Sequence, residues 1–270
     1  MTLTRRQVLD LLEGNGLRPS RALGQNFVAD PNTVRRIARL AAVGPGDRVV
    51  EIGAGLGSLT LALAETGASV TVVELDRYVV PVLVSVLVSA GVAERVEVVQ
   101  GDALTLDWPA LLGSEPWVLV ANLPYNVATP LVLDLLDGVP QIERMLVMVQ
   151  REAGERLAAG VGDPQYGLPS VKVAYWATAT VVGRVPPTVF VPQPKVESAL
   201  VSIVRRPDVT PMPDGMWELA RAGFGQRRKM LRRSLGLDES VFACAGVAPS
   251  ARPEELSVAD WGRLAACLTR

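Results

Sequence analysis

Histidine is absent from this 270-residue chain, and its two cysteines, Cys244 and Cys267, form no CxxC pattern. A Ser-His or Cys-His catalytic pair is therefore excluded, and so is a zinc site built on these ligands. No run of roughly 18 or more apolar residues, the length of a membrane-spanning helix, appears. The opening Met1-Thr2-Leu3-Thr4-Arg5-Arg6 lacks the apolar core of a secretion signal. Together these absences lead to the expectation of a soluble, cytoplasmic protein with reduced thiols. No internal repeat or low-complexity segment is found, and a hydrophobic content of 49% with 20% charged residues excludes a disordered chain.

A net charge of −1 does not announce a polyanionic partner, but the distribution of charge is uneven. Basic residues outnumber acidic ones by seven to three in residues 1–45 and by eight to three in 205–235, whereas acids lead by seventeen to nine in 46–204. Two basic segments are thus attached to an acidic body, which fits either solvated faces or a polyanion-binding surface.

Periodicity predicts a short amphipathic helix over 5–13, stopped by Gly14-Asn15-Gly16. The polar loop Arg18 to Phe27 follows, either as a surface linker or, through Gly24 and Asn26, as backbone shaped around a ligand. Asp30-Pro31 caps a helix to about Ala42. From Asp47 short apolar runs alternate with helical stretches, as in a parallel sheet with crossover helices. The expected strands are 48–53, 70–74, 96–100, 118–121, 145–149, 171–185 and 198–204. The last two are joined by the proline-rich stretch Pro186 to Pro194, too short for a crossover helix, so they are expected to pair as an antiparallel hairpin. Pro207, Pro211 and Pro213 mark a linker, which predicts an α/β domain over 1–206 and a small helical domain over 207–270.

Three strand ends carry ligand-type chemistry. Gly53-Ala54-Gly55-Leu56-Gly57 follows the first strand, Glu74 ends the second, and Gly101-Asp102-Ala103 follows the third. Glycines let a ligand approach the backbone, and an acid ending the second strand is placed to accept both hydroxyls of a ribose. Ser58 stands where a dinucleotide-binding GxGxxG needs its last glycine, and no basic residue in the turn is available to hold a pyrophosphate. With Glu51 the turn reads E-x-G-x-G-x-G and resembles the nucleoside-binding loop of S-adenosylmethionine-dependent methyltransferases. Glu51 also admits a purely structural reading, as a strand-end acid satisfied by backbone amides.

The fourth strand leads into Asn122-Leu123-Pro124-Tyr125-Asn126 at the same edge. Asn122 offers an acceptor and a donor but no titratable proton, which suits orienting an amine better than general-base work. Pro124 keeps Leu123 out of the helical region, and Tyr125 offers a flat face for a base. Alone, the five residues read better as a turn after a strand, with Tyr125 packed at its rim.

Taken in order, Leu23-Gly24-Gln25-Asn26-Phe27, Glu51-Ile52-Gly53-Ala54-Gly55, Asn122 to Asn126 with Thr129-Pro130, Val189 to Val196 and Arg227-Arg228-Lys229-Met230-Leu231 resemble the ribosomal RNA adenine dimethylases nearly end to end. The resemblance implies a class I S-adenosylmethionine-dependent methyltransferase: a Rossmann-like, seven-stranded, mostly parallel sheet with an antiparallel last strand, plus a small all-helical domain. It implies S-adenosylmethionine without a metal, held by Asn26, Val28 (through its backbone), Glu51, Gly53, Gly55, Glu74, Asp102 and Asn122. It implies N6,N6-dimethylation of two adjacent adenosines near the 3′ end of 16S rRNA by a monomer, within the small (30S) subunit or its precursor and with a role in ribosome biogenesis. Asn122 and a backbone carbonyl of Leu123 or Pro124 would orient the amine. Tyr125 and Phe190 would sandwich the flipped base, although Phe190 is equally a core anchor of its loop. Arg18, Arg21, Arg221, Arg227, Arg228, Lys229, Arg232 and Arg233 are the expected phosphate contacts. Val28 departs from the usual leucine and Ala54 from a common proline, and neither change removes a functional side chain; the basic residues of the first segment are all arginine, a departure that bears on RNA contacts more than on chemistry.

Three other readings compete. A 23S rRNA adenine N6-methyltransferase of antibiotic resistance would share cofactor motifs and chemistry, though the Val189 to Val196 and Arg227 to Lys229 blocks favour the small-subunit enzyme. A ribosome-assembly factor acting mainly by binding would need the basic segments but not Asn122. An NAD oxidoreductase is countered by Ser58.

Overall fold

The computed structural model describes residues 2–268, and the chain divides into two compact units. The first takes the residues up to Gly154 with Thr180–Arg205, the second Glu155–Ala179 with the residues from Arg206 on. The expected boundary near residue 207 thus coincides with one crossing between units, but residues 155–179, assigned from sequence to the larger domain, belong with the helical unit.

Helix α1 (Arg5–Gly14) opens the first unit behind a capping box, in which Gln7 N donates to Thr4 Oγ1 and Thr4 N to Gln7 Oε1, while Val8 and Leu12 face the core. After the two-residue strand β1 (Phe27–Val28), Asp30 caps α2 (Pro31–Ala41), whose buried Val34, Ile37, Ala38 and Ala41 follow the helical period. The chain then alternates: β2 (Arg48–Ile52), α3 (Ser58–Ala64), β3 (Ser69–Glu74), α4 (Val80–Ser89), β4 (Val96–Gln100), α5 (Trp108–Leu112), β5 (Trp117–Asn122), α6 (Ala128–Gly138) and β6 (Ile142–Gln150). Both faces of the central strands are covered, so Val49 and Val50 or Val118 to Ala121 read as continuous apolar runs and are all buried.

Next come α7 (Arg151–Ala158), α8 (Leu168–Trp176), β7 (Ala177–Val185), β8 (Phe190–Val191) and β9 (Ser198–Arg205). The main sheet has seven strands in the order β4-β3-β2-β5-β6-β9-β7. Pairs β2–β3, β3–β4, β2–β5 and β5–β6 are parallel, and β9 runs antiparallel to β6. The mostly parallel sheet with an antiparallel last strand is as expected, and β9 sits between β6 and β7. The expected strand over 171–185 is corrected in its first half. Residues up to Trp176 are helix α8, entered through Pro169 and a hydrogen bond from Gly167 N to Ser170 Oγ, and extended backbone begins only at Ala177. A continuous apolar run does not by itself distinguish a buried helix from a buried strand.

The second unit adds α9 (Met216–Gly225), α10 (Leu231–Leu235), α11 (Glu239–Ala245) and α12 (Val258–Leu268) around the buried Tyr166, Phe242 and Trp261. Tyr166 Oη donates to the carbonyl of Leu256 at 3.0 Å. The expected reduced thiols are corrected here: Cys244 of α11 and Cys267 of α12 form a disulfide. Packing of the two helices brings their Cα atoms to 6.1 Å, within bridging range, although 23 residues separate them in sequence. No helix among the described residues is long and apolar enough to cross a membrane.

Gly223 of α9 lies against the Trp261 indole, where a Cβ would come within 2.5 Å of Cη2. Gly223→Ala should therefore destabilise the second unit by about 1–3 kcal/mol, as overpacking of a filled core does, read as a lower urea midpoint.

Candidate active site at the carboxyl edge of the sheet

In parallel strands the carboxyl ends line up, so the loops after β2, β3, β4 and β5 border one cavity of about 270 Å³. Its wall includes Asn26, Val28, Glu51, Gly53, Gly55, Glu74, Asp102, Asn122, Leu123, Pro124 and Tyr125. The loop before β1 completes it. Gly24, at φ +63°, sits so close to the motif after β5 that a Cβ there would lie 3.0 Å from both Asn126 Oδ1 and Pro124 Cβ. Gly55, at φ +55°, leaves room for the Phe27 ring, whose Cδ1 would be 2.8 Å from a Cβ. At both positions any side chain would be strained and would push the loop away.

Asn122 donates its side-chain amide to the carbonyl of Asn26 at 3.0 Å. This bond uses one of the two amide N–H donors and orients the group, so that its carbonyl is an acceptor available to a ligand. Leu123 N is tied to the carbonyl of Met148 in β6. The carbonyl of Pro124 already accepts from Val127 N and Ala128 N at the start of α6. That corrects one candidate acceptor: of the two backbone carbonyls considered, Leu123 and not Pro124 is left for an amine.

Glu74 is held rigidly, with Oε2 accepting from Gly55 N at 2.8 Å and Oε1 from Asp76 N at 2.9 Å. Each oxygen keeps a further lone pair for a hydroxyl. Burial raises its pKa above the usual carboxylate value, against the backbone hydrogen bonds that lower it. Glu51 is 1% exposed and its Oε2 has no hydrogen-bond partner, so the purely structural reading of a satisfied strand-end acid does not describe it. Burial, with Glu74 nearby, pushes its pKa up to about 8. Asp102 Oδ1 accepts from Leu104 N at 2.9 Å, a turn that fixes its carboxylate at the cavity.

Phe190 is corrected. Its side chain is 0% exposed and packs in the core, because β8 pairs with β1 through Phe27↔Val191 and Val28↔Phe190. Arg5 Nη1 of α1 reaches the carbonyls of Thr188 and Phe190 and straps the same segment. Phe190 therefore anchors the loop that supports Val28 and presents no face to a base. Tyr125 stays on the cavity wall, half-buried, with its hydroxyl 2.7 Å from Ser198 Oγ. Burial raises the phenol's pKa, so it remains neutral.

Two contributors escaped the sequence reading. Gln25 Nε2 donates to Asp76 Oδ2 at 2.8 Å while its Oε1 accepts from Ser20 N, latching the 18–27 loop onto the turn after β3. Ser198 is the other; nothing in a strand-initial serine marks it. Among the basic residues, Arg18 and Arg21 in the first unit and Arg221, Arg228, Lys229, Arg232 and Arg233 in the second are exposed. Arg227 is engaged within its own unit, ion-paired through Nε with Glu254 Oε2 at 2.7 Å and donating to the carbonyl of Pro164. It braces the turn after α9 instead of standing free for phosphate.

A parallel sheet with one antiparallel strand, a glycine turn after β2 and rigid acids after β3 and β4 define a class I S-adenosylmethionine-dependent methyltransferase. The buried acid with one unpaired oxygen, the two close glycines and the rigid Glu74 fit that cofactor, a cationic nucleoside. The "23S rRNA methyltransferase ErmE" shares the fold at a TM-score of 0.71 and 27% identity, covering 91% of this chain and 100% of that one. A dimethyladenosine transferase from Plasmodium falciparum superposes at 0.74 with 24% identity, over 88% and 95% of the two chains. The model of the family Ribosomal RNA adenine dimethylase matches residues 17–270, and the chain belongs to that family. Proteins named Ribosomal RNA small subunit methyltransferase A from Cutibacterium acnes and Kineococcus radiotolerans are 47% and 48% identical to it. The alignments cover 94% and 98% of this chain and 90% and 91% of theirs. The chain is an S-adenosylmethionine-dependent methyltransferase acting on adenine in ribosomal RNA.

Between the ordinary carboxylate value and about pH 8 the folded chain keeps a proton on Glu51 that the unfolded chain has lost, so stability falls as pH rises across that window. Glu51→Gln should flatten this slope, measured as urea midpoints from about pH 5 to about pH 8. Phe190→Ala should cost about 3–5 kcal/mol of stability, whereas Phe190→Leu should retain cofactor affinity in calorimetry.

Proposed function

We propose that this chain dimethylates N6 of two adjacent adenosines near the 3′ end of 16S rRNA, within the small (30S) subunit or its precursor, as a cytoplasmic monomer contributing to ribosome biogenesis. The observation that carries the chemistry is the orientation of Asn122, whose NH2 group donates to Asn26 and whose carbonyl remains for an amine. Substrate choice is supported by the relatives named small-subunit methyltransferases, which match at 47–48% identity nearly end to end, against 27% for the 23S enzyme.

In this reading Glu74 accepts the ribose hydroxyls of the cofactor and Asp102 its adenine amine. Glu51 faces its positive charge, Asn26 and the backbone of Val28 line its bed, and Gly53 and Gly55 let it approach. When bound, S-adenosylmethionine supplies a methyl group on a positively charged sulfur that leaves as a neutral thioether. An exocyclic adenine amine is a poor nucleophile because its lone pair is delocalised into the ring. Asn122 Oδ1 and the Leu123 carbonyl accept its two hydrogens and so turn the lone pair toward the methyl, while Tyr125 stacks on the base. The lone pair becomes the new N–C bond, and a proton from N6 passes to water. Arg18, Arg21, Arg221, Arg228, Lys229, Arg232 and Arg233 position the rRNA through its phosphates without reading sequence.

The test is methyl incorporation into unmethylated small subunits, naked 16S rRNA and 23S rRNA. Subunits should be the best acceptor; methylation of 23S rRNA alone would assign the resistance activity instead. Asn122→Ala should lower turnover roughly a hundredfold or more. Restoration of subunit assembly by that variant would favour a role carried by binding. Glu74→Ala should weaken cofactor binding in calorimetry, and Tyr125→Ala should spare it while lowering turnover.

A further inference from the structure

The hydrogen bond between Tyr125 and Ser198 joins residues 73 apart in sequence, and neither hydroxyl's position is accidental. Ser198 is 0% exposed, a buried polar side chain whose partner is the Tyr125 phenol. It is the first residue of β9, in register with Gln150, the last residue of β6. The residues beside it lock this corner: Arg151 N donates to the carbonyl of Glu197, and Arg151 Nη1 meets Glu197 Oε2 at 3.0 Å. Tyr125, by contrast, lies in the short turn between β5 and α6, with its ring on the cavity wall. Without the tether only local packing would set the ring's tilt; with it, a hydroxyl fixed to the antiparallel pair β6–β9 sets that tilt.

We infer that Ser198 is a positioning residue for Tyr125, and that this tether matters more for the second methyl transfer than for the first. This role rests on the proposed function, in which the base stacks on Tyr125 and its amine is held by Asn122 and Leu123. For the first transfer the nucleophile is an NH2 group, and two acceptors can each take one hydrogen. For the second it is NHCH3, with one hydrogen, so one acceptor is left without a partner. Alignment of the remaining lone pair then depends more on the plane of the base, which the Tyr125 ring sets. In both transfers one N–C bond forms, one S–C bond breaks with its electron pair going to sulfur, and one proton leaves N6 for water. What changes between them is how much of the alignment is carried by hydrogen bonds and how much by stacking.

The experiment compares wild type, Ser198→Ala, Tyr125→Phe and the double variant on unmethylated small subunits. Nuclease digestion and mass spectrometry would give the ratio of N6-methyladenosine to N6,N6-dimethyladenosine. Each single variant should raise that ratio roughly three- to tenfold, the worth of one hydrogen bond, and the double variant should raise it no further than the singles. For Ser198→Ala, KM for the subunit and the calorimetric affinity for S-adenosylmethionine should stay within about twofold of wild type, with the loss in kcat of the second step. Tyr125→Phe keeps the ring and removes only the tether, so it decides the matter even where Ser198→Ala folds poorly. An unchanged ratio in folded Tyr125→Phe overturns the inference while leaving the proposed function intact. Absence of any methyladenosine with the wild-type protein overturns the proposed function and the inference with it.

Discussion

The side-chain amide of Asn122 can point only one way once it donates to the carbonyl of Asn26, and the geometry of the cavity depends on that bond. It joins the end of β5 to a loop 96 residues earlier, closing the cavity between them. The bond holds because the two segments can approach so closely: Gly24 carries no Cβ to strike Pro124 and Asn126, and Gly55 none to strike Phe27. β1 is only two residues long and is steadied by β8, whose Phe190 carbonyl, with that of Thr188, is in turn held by Arg5 of α1. Backbone pairing, two missing side chains and one arginine thus combine to orient a single amide.

Along the same edge the charged and neutral groups are segregated. Glu51, Glu74 and Asp102 stand at the ends of β2, β3 and β4, and their burial or backbone bonds leave them little freedom. A buried carboxylate with an unpaired oxygen is costly, and Glu51 answers by holding its proton to about pH 8 unless a positive group arrives. Asn122, Leu123 and Tyr125, at the end of β5, carry no charge. A cationic ligand is favoured on one side and a neutral base on the other, from a single row of strand ends.

Much of this could be read from residues alone, for identifiable reasons. Central parallel strands are buried on both faces, so their apolar runs were plain, and each turn began where a glycine, proline or acid broke the run. The identity of Glu74 and Asp102 as cavity residues followed from their places, Glu74 as the last residue of its strand and Asp102 just past the end of the next. What stayed hidden depends on contacts distant in sequence. Val171 to Trp176 is as apolar as a strand, and only the Gly167–Ser170 cap and Pro169 reveal a helix. The disulfide needs the packing of α11 on α12. Phe190 carries an aromatic ring beside a proline-rich loop, as a stacking residue would, and its burial is decided by β1, some 160 positions earlier. Arg227 looks like its neighbours Arg228 and Lys229 until Glu254 is seen beside it.

The corrected site also narrows how the reaction can proceed. A chain without histidine, with its nearest phenol kept neutral by burial and its acids placed along β2 to β4, offers no strong base beside the amine. None is required, because the amine's proton becomes acidic only as the N–C bond forms, and water can then take it. What the protein must supply is direction, and it does so with two acceptors whose other bonds are already made. Asn122 is fixed through its amide to Asn26, and Leu123 through its own N–H to Met148. Such groups need no reorganisation when charge develops, which is where preorganised dipoles gain over solvent. Pro124 is unsuited to the same task. Its carbonyl is committed to starting α6, and that helix in turn fixes the turn on which Tyr125 rides.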